Sequence, residues 1–214
     1  MIDPLGGWPF LWPLVVGFAL AYLLGSIPFG LILTRLGGEG DIRVIGSGNI
    51  GATNVLRTGR KGLAACTLLL DMAKGLVAVL LGWRYGGPDL AVLASYGAML
   101  GHCFPIWLKF RGGKGVATFF GVVTGLAWPI GLAAAAAWLA GALLLRISSV
   151  GGLAAALSAP IAAYFFADRQ IIEATAAIAL LIWARHWRNI LRLAKGEEPR
   201  IGGGKATASH DKNT

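Results

Sequence analysis

Long apolar stretches separated by short polar loops constrain the fold of this chain more than any other feature. Residues 11–34, 90–108 and 116–145 contain no Asp, Glu, Lys or Arg, and residues 62–83 contain only Asp71 and Lys74. Charged residues make up 14% of the chain, whereas they make up about a quarter of a soluble domain. The sequence therefore predicts an all-α integral membrane protein.

The apolar stretches predict seven transmembrane helices. The stretch at 116–145 is longer than the roughly 20 residues that one crossing needs. Trp128 and Pro129 divide it into two predicted spans, at 116–127 and 130–145. The other predicted spans are 11–34, 62–83, 90–108, 150–167 and 171–183. Gly25 and Pro28 predict a bend near the inner end of the first span.

The distribution of basic residues predicts the orientation in the membrane. Most of the 19 lysine and arginine residues fall in alternate loops, which places those loops inside by the positive-inside rule. With seven spans, the N-terminus is then outside, the C-terminus is inside, and the motif-bearing loops face the cytoplasm. Topology accounts for the net charge of +9, so no nucleic-acid partner is predicted. We predict one membrane domain over residues 1–198 and a flexible polar tail over residues 199–214.

The most polar and glycine-rich run is residues 46–54, which Arg57 follows. Three glycines would let backbone N–H groups turn inward and form an anion-binding nest: Gly46, Gly48 and Gly51. Four short polar side chains add hydrogen-bonding groups: Ser47, Asn49, Thr53 and Asn54. Arg57 adds a guanidinium that suits phosphate. The run predicts a loop that binds a phosphate or a similar oxyanion.

Two other interpretations of this run are weaker. It could be a surface loop without a function. It also fits the glycine spacing of a dinucleotide-binding fingerprint, and Asp71 stands where an acidic ribose ligand would stand. That fingerprint requires a buried strand before it and a helix after it. Here long apolar stretches flank the run, so we disfavour a nucleotide site.

Two further constellations lie beside predicted spans. Gly112, Gly113 and Lys114 precede the fourth span, where the glycines would let backbone approach a ligand and the lysine would supply a charge. The alternative is a simple topology anchor, which needs cations but no glycines. At the end of the seventh span, a single helix would place Arg185, Asn189 and Arg192 on one stripe, with His186 beside it. The alternative for His186 is an ordinary membrane-interface residue.

Asp71 and Lys74 are three residues apart, so they share a helix face and could pair. Either they hold two helices together or they face a substrate, and the sequence leaves both alternatives open. The chain shows no Gly-x-Ser-x-Gly nucleophile motif, no His-x-x-x-x-Asp acyltransferase motif and no aspartate cluster for a metal. These patterns indicate a phosphate-handling membrane site, and we predict neither a metal nor a cofactor.

Three polar runs in order along the chain resemble the signatures of one family. Residues 46–57 resemble the first signature of the PlsY family, residues 112–118 its middle signature and residues 189–198 its last. The family comprises bacterial acyl-phosphate:glycerol-3-phosphate acyltransferases. The resemblance implies transfer of a fatty acyl group from acyl phosphate to the 1-hydroxyl of sn-glycerol 3-phosphate. The products would be 1-acyl-glycerol 3-phosphate (lysophosphatidic acid) and phosphate, in phospholipid biosynthesis.

The resemblance also implies a location and partners. The protein would be a multi-pass protein of the bacterial cytoplasmic (inner) membrane, with its active site facing the cytoplasm. It would have a functional link to an enzyme that produces acyl phosphate. The acyl chain would lie between apolar spans and open to membrane lipid. Members of the family are thought to let a substrate phosphate take the hydroxyl proton, which suits a site without an obvious base.

The resemblance implies roles for individual residues. Ser47, Gly48 and Asn49 would bind the acyl-phosphate headgroup. Arg57, Lys114 and His186 would bind the phosphate of glycerol 3-phosphate, and Asn189 would donate to the oxyanion. The predicted catalytic residues are Ser47, Arg57, Lys114, His186 and Asn189. The predicted substrate-binding residues are Gly46, Gly48, Asn49, Gly51, Thr53, Asn54, Gly113, Thr118, Ser148, Ser149, Arg192 and Glu198.

An anion or phosphate transporter is the main alternative function, since it too would have glycine-rich loops and charged residues within spans. A transporter site usually lies near the membrane midplane, between structural repeats. Here the polar glycine loops are predicted on one surface, and the chain shows no convincing repeat. A lipid-binding scaffold without chemistry would leave the ordered polar motifs unexplained.

Overall fold

The computed structural model describes residues 7–201, and every regular element in that range is helical. The α-helices are α1 Gly7–Gly25, α2 Phe29–Leu36, α3 Ala52–Val55, α4 Lys61–Cys103, α5 Val116–Leu126, α6 Trp128–Leu145, α7 Ser148–Phe166, α8 Arg169–Arg185 and α9 Trp187–Ala194. Short 3-10 turns occupy Ile42–Val44, Leu56–Thr58 and Ile106–Leu108. Of the predicted tail, residues 202–214 lie outside the described range.

Helix α4 is a hairpin of two limbs, residues 61–85 and 88–103. Gly86 and Gly87 have non-helical backbone angles, and Gly87 is left-handed at φ 62°. A Cβ added at Gly82 would lie 2.6 Å from the Cα of Ala91. Nine residues along a straight helix would be about 13.5 Å apart. The chain therefore reverses at the glycine pair, where the sequence predicts a turn between the second and third spans.

The predicted division at Trp128 and Pro129 is also present. Ala127 is extended (φ −158°, ψ 120°), and Pro129 lies in the first turn of α6, where its missing N–H costs no helical hydrogen bond. A Cβ at Gly131 would lie 3.0 Å from the Cα of Thr124, so α6 folds back on α5. With 11 residues, α5 is about 16 Å long, which is too short to cross a bilayer core of about 30 Å unaided.

Within residues 7–201, four stretches are long and apolar enough to cross a membrane, judged by length and composition. They are Gly7–Leu36, Lys61–Leu108, Trp128–Leu145 and Ser148–Phe166. The first contains the predicted bend, because the helix is interrupted between Gly25 and Phe29. The second contains the α4 hairpin. The number of crossings, predicted as seven, stays a prediction.

Small residues let the helices approach closely. A Cβ at Gly97 would lie 2.6 Å from the carbonyl oxygen of Phe18, and one at Gly101 would lie 2.1 Å from that of Tyr22. This small-x-x-x-small spacing brings the second limb of α4 against α1 in the manner of membrane helix pairs. The first limb packs on α5, α6 packs on α7, and α7 packs on α8.

The charges of Asp71 and Lys74 are buried among these helices. Lys74 Nζ lies 2.7 Å from Asp71 Oδ1, and both side chains are nearly inaccessible. The same Nζ donates to the carbonyl of Ile27, at 2.8 Å, where the chain is broken between α1 and α2. Pairing offsets the cost of burying two charges. The structure therefore favours the structural alternative for this pair.

Candidate active site

The loop of residues 46–54 is held together from within by the buried side chain of Asn54. Its Nδ2 donates to the carbonyls of Ile42 (2.8 Å) and Asn49 (2.8 Å), and its Oδ1 accepts from the backbone N–H of Ser47 at 3.1 Å. Arg57 Nη1 also donates to Oδ1, at 3.4 Å. The amide of Asn54 therefore shapes the loop, and its predicted contact with substrate stays a prediction.

The backbone N–H groups that were expected to bind an anion are instead hydrogen-bonded within the loop. The N–H of Ser47 bonds to Asn54, that of Gly48 to the carbonyl of Ile45 (3.0 Å), and that of Gly51 to Asn49 Oδ1 (3.2 Å). These donors are used inside the loop. Gly46 and Gly48 have φ of 55° and 67°, so the glycines are needed for the turn itself. The loop presents exposed side chains, those of Ser47, Thr53 and Arg57.

We expect Asn54→Ala to lower the free energy of unfolding by about 2–4 kcal/mol, because several buried polar groups lose their partner together. Thermal melting of purified protein in detergent checks this. Asn49→Ala is the matched control, since the Asn49 side chain makes one loop bond, to Gly51 N; it should cost about 1 kcal/mol or less. Equal melting temperatures for the two variants would contradict the central role of Asn54.

The glycine pair before α5 is likewise fully bonded. Gly112 N donates to Cys103 O (3.1 Å) and Gly113 N donates to His102 O (3.0 Å). The two glycine carbonyls accept from Arg185, at 3.1 Å each. The N–H of Gly113 is thus already paired, and its predicted contact with substrate stays a prediction. These bonds fix the backbone immediately before Lys114.

Lys114 belongs to a polar network at the ends of α5, α7 and α9. Its Nζ donates to Asn189 Oδ1 at 2.6 Å, and Asn189 Nδ2 donates to Glu198 Oε1 at 2.5 Å. Ser149 Oγ donates to the same Oε1 at 2.8 Å, and Arg192 Nε donates to Oε2 at 2.6 Å. Five predicted site residues, distant in sequence, are therefore in direct contact.

The network fixes the orientation of the Asn189 amide. A lysine ammonium only donates, so Oδ1 must face Lys114, and a carboxylate only accepts, so Nδ2 must face Glu198. Glu198 takes one of the two Nδ2 hydrogens. The second hydrogen remains for an acceptor in the site, which suits the predicted oxyanion donor.

Positive charge is concentrated around Lys114. Burial lowers the pKa of Lys114 to about 8; the Glu198 carboxylate opposes this shift, and Arg192, Arg57 and Arg185 add to it. Burial raises the pKa of Glu198, but the hydrogen bonds from Asn189, Arg192 and Ser149 outweigh it and hold this pKa below its usual value. Glu198 is thus ionised at neutral pH, and the surrounding cations exceed it in number.

His186 separates α8 from α9. Its backbone (φ −98°, ψ 7°) leaves the helix, so the predicted continuous stripe through Arg185, Asn189 and Arg192 is interrupted. Burial lowers the pKa of His186 to about 4, against the opposing effect of the bond to Ile182 O. The ring is therefore neutral at neutral pH. A neutral imidazole adds no charge for a phosphate, and the predicted phosphate contact of His186 stays a prediction.

The neutral ring also has a defined tautomer. His186 Nδ1 lies 2.8 Å from the carbonyl of Ile182, and that acceptor requires the proton to be on Nδ1. Nε2 is then an acceptor. It lies 3.6 Å from a Cβ built at Gly152 on α7, which also faces Val116 on α5. The acceptor nitrogen thus lies where the starts of α5 and α7 meet.

Two remaining predictions have different outcomes. Thr53 Oγ1 lies 3.4 Å from Ser148 Oγ, which connects the loop of residues 46–54 to the start of α7 beside Ser149. Thr118 is fully buried, and its backbone and methyl group meet Gly75 of α4. Its hydroxyl oxygen is buried without a hydrogen-bond partner, and its predicted contact with substrate stays a prediction. Sequence reasoning did not give Arg185 a site role, because nothing in its position shows that it would bond to a distant loop.

The fold and the site together define a class: a helical protein with membrane-length apolar stretches and a cation-rich site at one end of its helices. Such a site suits phosphorylated compounds. The chain belongs to the glycerol-3-phosphate acyltransferase family, whose model matches residues 15–196. It is thus an integral membrane acyltransferase, and membership of this family decides against the transporter.

Named relatives and solved structures agree. A glycerol-3-phosphate acyltransferase of Caulobacter vibrioides is 61% identical over 195 residues, covering 88% of this chain and 89% of the relative. One of Dinoroseobacter shibae is 58% identical, covering 89% and 94%. The crystal structure of PlsY, an integral membrane glycerol 3-phosphate acyltransferase, in its glycerol 3-phosphate form matches with a TM-score of 0.84 and 35% identity, covering 89% and 96%. Its lysophosphatidic acid form matches with a TM-score of 0.82.

Proposed function

We propose that this protein transfers a fatty acyl group from acyl phosphate to the 1-hydroxyl of glycerol 3-phosphate. The products are 1-acyl-glycerol 3-phosphate and inorganic phosphate. The observation that carries the proposal is the Lys114–Asn189–Glu198 chain of contacts among surrounding arginines, in a member of this family. Such a cluster offers charge for two phosphorylated substrates and an amide N–H for an oxyanion.

The reaction balances without a protein nucleophile. The 1-hydroxyl oxygen attacks the acyl carbonyl carbon, the carbonyl oxygen becomes an oxyanion near Asn189 Nδ2, and the carbon–oxygen bond to phosphate then breaks. The hydroxyl proton goes to a phosphate oxygen of a substrate. With a second pKa of about 6, a phosphate monoester is a better base than His186, whose pKa is about 4. His186 therefore does not take the proton in the proposed reaction.

The two phosphate groups divide the cations between them. We assign Lys114 and Arg57 to the phosphate of glycerol 3-phosphate, and the side chains of Ser47 and Asn49 to the acyl-phosphate headgroup, with Gly48 shaping the turn between them. The exposed hydroxyl of Ser47 supports the second assignment. Arg192 and Ser149 act through Glu198, which both of them contact.

We also propose the arrangement in the membrane. Residues 1–198 form one seven-span domain with the N-terminus outside and the C-terminus inside, followed by a polar tail. The hairpin of α4 and the division between α5 and α6 support the span count. The motif loops then face the cytoplasm of the bacterial inner membrane, where a partner enzyme supplies acyl phosphate.

An assay of purified protein with palmitoyl phosphate and labelled glycerol 3-phosphate tests the proposal. We expect labelled lysophosphatidic acid and one phosphate released per product. Palmitoyl-CoA in place of palmitoyl phosphate should give no product, because the site is proposed to recognise the donor by its phosphate. Turnover with palmitoyl-CoA alone would overturn the donor assignment. Absence of transfer from either donor, with folded protein, would overturn the proposed function.

A further inference from the structure

Arg185, the last residue of α8, is hydrogen-bonded to the loop that carries Lys114. Its Nε donates to the carbonyl of Gly113 and its Nη2 donates to that of Gly112, both at 3.1 Å. The guanidinium lies over the ring of Phe104, 5.0 Å from its centroid. The two hydrogen bonds and the contact with the ring fix the plane of the guanidinium, because its N–H donors lie in one rigid plane.

The opposite side of the glycine pair is fixed by the end of α4. The N–H groups of Gly112 and Gly113 bond to the carbonyls of Cys103 and His102. A Cβ at Gly113 would lie 2.1 Å from His102 Nε2, so the backbone lies directly against that ring. Every backbone polar group of the pair is therefore satisfied, half by α4 and half by Arg185.

Lys114 directly follows the glycine pair. Its Nζ donates to Asn189 Oδ1 at 2.6 Å, so a shift of the glycine pair would move the ammonium relative to Asn189. Earlier in the same loop, Lys109 and Phe110 have left-handed backbone angles that non-glycine residues rarely adopt. Such a loop keeps its shape only when its surroundings impose it.

We propose that Arg185 is a positioning residue, which sets the place of Lys114 through the backbone of Gly112 and Gly113. The inference rests on the proposed function, because its effect is measured in the acyl transfer reaction. Lysine in place of Arg185 keeps the charge but cannot donate to both carbonyls in one plane. Positioning and mere charge therefore predict different behaviour for Arg185→Lys.

Kinetics of Arg185→Lys are the first test. If Lys114 binds the phosphate of glycerol 3-phosphate, we expect KM for glycerol 3-phosphate to rise about tenfold or more, and KM for palmitoyl phosphate to stay within about twofold. Arg188→Lys is the matched control, because Arg188 is exposed and lies over Trp187 on α9; it should retain wild-type kinetics. Wild-type kinetics of Arg185→Lys would overturn the inference.

A double-mutant cycle separates positioning from packing. In a Lys114→Ala background, Arg185→Lys should change kcat/KM by less than about twofold, because its effect passes through Lys114. If the loss of kcat/KM in the double variant equals the product of the two single losses, Arg185 acts independently of Lys114 and the inference is overturned.

Should Arg185→Lys fail to fold, Arg185→Ala with millimolar guanidinium replaces it: guanidinium should restore KM and methylammonium should not. Equal effects of the two ions would also overturn the inference. A wild-type enzyme without transfer activity would instead remove the proposed function.

Discussion

Lys114→Ala is expected to lower kcat/KM for glycerol 3-phosphate by about a hundredfold or more, the largest loss among single substitutions in this site. The change removes a half-buried ammonium, and it leaves Asn189 Oδ1 without its donor. The ammonium is proposed to pair with the substrate phosphate, and truncating one partner of such a buried charge pair typically costs about 2–5 kcal/mol. Steady-state kinetics at fixed palmitoyl phosphate measure the loss.

Arg111→Ala provides the control, since Arg111 is an exposed cation of the same loop, three residues earlier. We expect its kcat/KM to remain within about threefold of wild type, as exposed charges contribute little. A similar loss in both variants would show that the general positive charge of the loop matters and the placement of Lys114 does not.

The pH profile gives a second measure of the same residue. The pKa of Lys114 is lowered to about 8, so its ammonium is present below that pH and is lost above it. Because kcat/KM reports the free enzyme and the free substrates, we expect it to be level between the second phosphate pKa of about 6 and about pH 8, and then to fall up to tenfold per pH unit. Lys114→Ala should lack this alkaline limb. Uncatalysed hydrolysis of the donor is subtracted at each pH.

The span-level prediction and the structure agree where the sequence carries local signals. Gly86 and Gly87 mark the hairpin in α4, and Pro129 marks the start of α6, because glycine and proline act on the backbone where they stand. The bend near Pro28 follows from the same rule. Apolar composition alone predicts helices and their approximate limits. Whether all seven predicted helices cross the membrane depends on the bilayer, since α5 is too short to cross straight.

The composition of the site was predictable, but the division of work within it was not. The sequence patterns predict a site that includes Lys114 and Asn189, and the family resemblance adds Glu198; the fold brings these three residues into contact. The patterns also suggested that Gly113 and Asn54 contact substrate, whereas their polar groups are used inside the loops. That distinction depends on which hydrogen bonds form after folding. Arg185 illustrates the same limit, since its partners lie 72 and 73 residues away along the chain.

Glu198→Gln is expected to lower kcat by about thirtyfold to a hundredfold, with little loss of affinity for the anionic substrates. Glu198 accepts from Ser149 and Asn189 on one oxygen and from Arg192 on the other. A glutamine amide has only one accepting oxygen. Its NH₂ group must therefore face either Arg192 or the pair Ser149 and Asn189, and both of these are donors in the wild-type protein. Hydrogen bonds to charged groups contribute about 1.5–3 kcal/mol each, which sets the size of the effect.

The separation of kcat from KM is what distinguishes this variant from Lys114→Ala. Removing the carboxylate makes the site more positive, so KM for glycerol 3-phosphate should stay level or fall. The Asn189 amide, however, loses the acceptor that fixes its orientation, and an oxyanion donor that is free to rotate stabilises the transition state less. Glu197→Gln is the control, because Glu197 is the adjacent exposed carboxylate, and it should retain wild-type kcat. A rise in KM at unchanged kcat would show that Glu198 organises substrate binding and leaves the Asn189 amide unaffected.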